Sequence, residues 1–137
     1  VIPVRRHYIA AGACIVLLAV SLLGSVQAHA RPAEPTGSLV VSGTSAYGST
    51  VTAEVAWADV RRNQNVRVQL LCMQDIGVVY GDVRDVKDPQ TVSFVLGSPE
   101  QGTSVWDGSP ARCRVDLYAV APSREITYLA WSEVADG

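Results

Sequence analysis

The chain has 137 residues, with 11 Lys and Arg against 13 Asp and Glu, and Lys87 is its single lysine. No basic stripe is present to neutralise phosphates, which excludes nucleic acid as a partner. Both histidines, His7 and His29, fall in the first thirty residues, so residues 31–137 can build neither a His-dependent nucleophile nor a His-based zinc site.

Residues 1–30 have the layout of a secretory signal peptide. Arg5 and Arg6 give a positive start, and Ile9 to Val26 runs for 18 residues without a charge. Ala28-His29-Ala30 then places small residues before a cut after Ala30. The alternative is an uncleaved anchor, because 18 apolar residues just suffice to span a bilayer. Membrane attachment is expected only in that case. Arg5-Arg6-His7-Tyr8-Ile9 also resembles a twin-arginine export signal, with Val4 where Ser or Thr is expected. Each of these predicts a secreted or cell-envelope location. Residues 31–37 are Pro-rich and polar, a flexible lead-in, and 38–137 is the length of one ordinary domain.

Strand A is expected over 38–42. Ser49–Ala58 alternates, with Val51, Ala53, Val55 and Trp57 on one face and Thr50, Thr52, Glu54 and Ala56 on the other. That is the period-2 pattern of a half-buried strand, B. Asn65–Met73 repeats it as strand C. Val66, Val68, Leu70 and Cys72 face inward; Arg67, Gln69, Leu71 and Met73 face outward. Gln74-Asp75-Ile76-Gly77 turns the chain into a short strand C′ over 78–82. Asp82, Asp85 and Asp88 follow at three-residue spacing, an arrangement from which calcium takes oxygen ligands. Arg84 and Lys87 interleave and offset their charge, so a solvated loop is expected and no metal site. Strand E, 91–96, buries Val92, Phe94 and Leu96. Trp106 is read as a lid over one end of the core. Strands F (111–121) and G (125–135) are joined at Pro122-Ser123.

This pattern predicts an all-β fold: an immunoglobulin-like antiparallel β-sandwich of six to seven strands with Greek-key connections, preceded by an N-terminal signal helix. Strands C and F are neighbours in such a fold. Cys72 ends C and Cys113 begins F, so both lie at one end of the sheet. An even pair of cysteines in an exported domain reads as a disulfide, the alternative being two buried free thiols.

The run LLCMQDIGVVYGD, followed by SFVLGS and SVWDGSPARCRVDLY, resembles a pattern in small exported proteins of actinobacteria. Those proteins pair a Cys-turn-Val-Tyr-Gly hairpin with a later Trp- and Gly-containing segment that ends in Cys. The resemblance covers about residues 65–120. It implies export, the disulfide and the sandwich, and it carries no active-site residue.

A two-residue turn pairing Ala121 with Arg124 sets the expected F–G register. Leu117 then faces Tyr128, Val115 faces Ala130 and Cys113 faces Ser132 on the inner side. On the outer side Arg114 pairs with Trp131, Asp116 with Leu129 and Tyr118 with Thr127. Strand C completes that face, so Arg67, Leu71, Met73, Arg114, Asp116, Tyr118, Leu129 and Trp131 are the candidate partner-binding residues. Aromatics, Met and Arg are the types enriched at protein interfaces. The competing reading is local packing, with Arg114 over Trp131 as a cross-strand cation–π pair. A one-residue slip would reverse the faces.

No cofactor and no catalytic residue is expected. Glycoside hydrolysis needs two carboxylates flanking a bond, and nothing pairs Glu54, Asp116, Glu125 or Glu133. The expected function is a non-catalytic domain that binds an extracellular protein or cell-envelope partner. One alternative is a carbohydrate-binding module that stacks sugars on Tyr118, Trp131 and Tyr80. The other is a purely structural envelope component.

Overall fold

The computed structural model describes residues 31–137. The expected signal peptide, its expected helix and the anchor alternative lie outside the described residues. Eight strands follow in chain order: β1 (Thr36–Ser42), β2 (Thr50–Ala58), β3 (Asn65–Gln74), β4 (Gly77–Val86), β5 (Gln90–Val95), β6 (Thr103–Ser104), β7 (Arg112–Val120) and β8 (Ile126–Glu133). They form two antiparallel sheets, one ordered β1-β2-β5 and the other β6-β4-β3-β7-β8. The fold is an all-β sandwich. Among the described residues no helix is long and apolar enough to cross a membrane.

Alternation places the core. Val51, Ala53 and Val55 of β2 and Val92 and Phe94 of β5 line one inner face. Val66, Val68, Leu70 and Cys72 of β3, with Cys113, Val115 and Leu117 of β7, line the other. Trp106 caps this core as expected. It is buried, its Nε1–H donates to the Ser109 carbonyl at 2.6 Å, and Tyr47 meets it edge-on at 5.3 Å between ring centroids. Cys72 and Cys113 are register partners on β3 and β7, disulfide-bonded with Cα atoms 4.0 Å apart.

Three expectations are corrected. Strand β4 runs on to Val86, past the expected end at Asp82, so Asp85 too belongs to a strand and not to a loop. Asp82 points inward and pairs with Arg84 at 2.8 Å, while Asp85 points outward to Arg67. Strict alternation thus separates two carboxylates that sequence spacing had grouped. The two-residue strand β6 pairs with Tyr80 and Gly81 and was not expected at all.

The third correction is the β7–β8 register. Arg124 N–H donates to the Ala121 carbonyl at 2.8 Å and Ala121 N–H to the Glu125 carbonyl at 2.9 Å. The hairpin loop is therefore three residues, Pro122-Ser123-Arg124, with Arg124 left-handed at φ 70°. That extra residue moves the pairing by one, giving Tyr118↔Tyr128. A bulge then falls at Leu129, and beyond it Leu117 pairs with Ala130, Asp116 with Trp131 and Arg114 with Glu133. Both Leu129 and Ala130 pack toward the core. Leu129 leaves the outer face, and Tyr128 takes a place on it.

Candidate functional site

The outer face of the five-stranded sheet is a set of cross-strand rows. In one row Asp85, Arg67, Tyr118 and Tyr128 are successive register partners; in the next stand Val83, Gln69, Asp116 and Trp131. A third row holds Gly81, Leu71, Arg114 and Glu133. Met73 lies at one end between Val78 and Arg112. The structure therefore brings together seven of the eight predicted residues. Leu129 is the one it removes.

Charge on this face is internally matched. Arg67 Nε lies 2.7 Å from Asp85 Oδ1, a pair exposed on both sides, and Asp85's hydrogen bond and charge raise the guanidinium further above its ordinary pKa. Asp116 is only 3% exposed despite facing outward, because it sits mid-sheet between Gln69 and Trp131. Arg114, two residues back on the same strand face, reaches it with Nε 3.1 Å from Oδ1 and Nη2 3.1 Å from Oδ2. The same guanidinium lies 5.9 Å from the Trp131 ring centroid, within cation–π range. The expected Arg114–Trp131 contact exists, but diagonally and not between register partners.

Two aromatics stand in solvent. Trp131 is 62% exposed and Tyr128 64% exposed. Tyr128 leans on Tyr118, with ring centroids 5.9 Å apart and planes at 52°. Tyr118 is itself buried, and that burial raises its phenol pKa. Leu71 is half-buried beside Gly81, and Met73 is exposed. Tyr80, proposed as part of an aromatic platform, is fully buried in the core and drops out of it. The sequence reasoning missed Tyr128. Its signal was the unbroken run Tyr128-Leu129-Ala130-Trp131, which violates alternation and marks a bulge.

Other features converge less. Glu54 lies on the opposite sheet from Asp116. Among the described residues no three His, Cys, Asp or Glu side chains are placed to hold a metal ion. A concavity of about 1170 Å³ opens at the disulfide end between Tyr47, Gln74, Asp107 and Arg112; it meets the outer face at Met73, and neither Tyr128 nor Trp131 lines it. Among the described residues the buried side-chain polar atom without a partner is the Tyr80 hydroxyl, which does not line it. Comparison with protein-family models, curated proteins and solved structures finds no match to this chain.

Proposed function

We propose that this is an exported, immunoglobulin-like, non-catalytic domain that binds an extracytoplasmic protein or cell-envelope partner. Its binding surface is the outer face of β3, β7 and β8. One observation carries the reading: two large aromatics stand more than 60% exposed on one face of an edge strand, each held from behind. Exposed apolar side chains grouped on one face mark contact sites, whereas singly scattered ones do not, and these two rings share one strand face. The disulfide supports export, since such bonds persist in oxidising compartments. So do the leader pattern and the resemblance to exported actinobacterial proteins. The histidine-free sequence from residue 31 onward supports a binding role over a catalytic one.

The test is Trp131→Ala in the purified oxidised protein. Partner capture should fall while the thermal midpoint stays unchanged, because the indole is exposed. Undiminished capture by that variant would move the site off this face. A second reading, carbohydrate binding, is favoured by the exposed Tyr128–Trp131 pair, which replaces the earlier platform of Tyr118, Trp131 and Tyr80.

A further inference from the structure

We propose that the occupant of this face is an uncharged polysaccharide chain lying along β8. The inference rests on the outer face being the binding surface, and it names the class of ligand.

Spacing is the first argument. Trp131 pairs with Asp116 and Tyr128 with Tyr118, so the two rings stand two register positions apart on one face. At the rise of a strand that is about 7 Å, the order of one sugar unit. Without the bulge, residues 128 and 131 have opposite parity and face opposite sides. The bulge at Leu129 is what makes a two-ring strip. A sugar chain presents a succession of flat C–H faces, which such a strip can stack.

Preorganisation is the second. Tyr118 backs Tyr128, and the Asp116-anchored guanidinium of Arg114 backs Trp131. Rings already held in place lose little freedom on binding.

The third argument is the distribution of polarity and charge. Arg67, Arg112 and Arg114 face outward with Asp85, Asp116 and Glu133, so the charges on the face balance. A neutral ligand fits that balance; a charged one gains nothing from it. Protein interfaces place their aromatic anchors at the centre and polar groups at the rim. Here the order is reversed: Arg67, Gln69, Asp116 and Arg114 occupy the middle of the sheet with the buried Tyr118, and the two exposed aromatics, Tyr128 and Trp131, its border. Planar polar side chains beside an aromatic strip suit hydroxyl groups flanking a stacked ring.

The experiment is affinity electrophoresis of the oxidised protein through gels containing hydroxyethyl cellulose, galactomannan, arabinogalactan or dextran, with alginate as an anionic comparison. Retardation by at least one uncharged polymer is expected, unchanged by added salt because no net charge is involved. Trp131→Ala and Tyr128→Ala should each weaken it about tenfold or more. Tyr128→Phe should keep it, since the ring and not the hydroxyl stacks. Val40→Ser, an exposed change on the other sheet, should leave it intact. Absence of retardation by every uncharged polymer overturns the inference, as does salt-sensitive binding to alginate alone. If a protein is instead captured by the native domain and lost by Trp131→Ala, the face remains the binding surface and only the ligand class falls. If neither occurs, both readings fall.

Discussion

Arg114 holds a buried carboxylate with one side of its guanidinium and an exposed indole with the other. That arrangement explains why the solvent-facing side of the β7–β8 hairpin carries Arg, Asp and Trp in place of Thr, Ser and Lys: the three are one unit. The Arg–Trp half was legible in the sequence from residue type and strand proximity. Burial of Asp116 was not, because it follows from neighbours on both flanks that only the sheet order supplies. Tyr80 belongs to the same scale. Its hydroxyl is buried without a partner, and burial first, then the neighbouring Asp82 charge, raises its pKa. A folded pKa above the unfolded value contributes stability that is complete below about pH 10 and is lost as pH rises through the folded value. Tyr118 acts in the same direction. Urea midpoints should therefore fall as pH rises above about 10, and the fall should be less steep in Tyr80→Phe. At neutral pH that variant should match the parent within about 1 kcal/mol, since it removes an orphaned hydroxyl. An alkaline decline as steep in Tyr80→Phe as in the parent would contradict this account of the phenol.

Strand β8 shows what element-level patterns miss. All seven expected strands are present, and alternation located B and C because the inward positions of β2 and β3 are apolar at period two. Loop length and bulges depend on single backbone conformations, such as the left-handed Arg124, which apolar patterning does not encode. The consequence was an exchange of Leu129 and Tyr128 between faces. Strand β1 packs against the bulge. Gly37 lies against it so closely that a Cβ there would come 2.6 Å from Leu129 Cβ and 3.1 Å from Leu117 Cδ2. Both neighbours are packed side chains, and the first contact is impossible without movement. Gly37→Ala should cost about 1–3 kcal/mol, the usual range for overpacking, read as a lower urea midpoint. An unchanged midpoint would mean that β1 does not brace the bulge.

For the molecule as a whole, the C–F–G grouping was readable from the strand sequence, and so was the Cys72–Cys113 pairing. The edges were not. Strand β6, the extension of β4 and the neighbourhood of β1 and β8 all depend on contacts between segments distant in sequence. The disulfide closes a separation of 41 residues between adjacent central strands. On the chain-entropy model such a closure contributes about 4 kcal/mol, a large share of the roughly 5–15 kcal/mol that holds a domain together. Reduction should therefore lower the urea midpoint sharply. Because both cysteines are buried, it should also proceed slowly without denaturant. Equal midpoints for the oxidised and reduced protein would show that strand pairing and packing alone hold the domain together.

The most direct test of the central claim compares the oxidised protein with a Trp131→Ala, Tyr128→Ala double variant of matched urea midpoint. Both are immobilised and exposed to extracellular protein and to solubilised envelope polysaccharide. The account predicts material retained by the native protein, and by Val40→Ser, but lost by the double variant. Equal retention by native and double variant, or retention by neither, would contradict it.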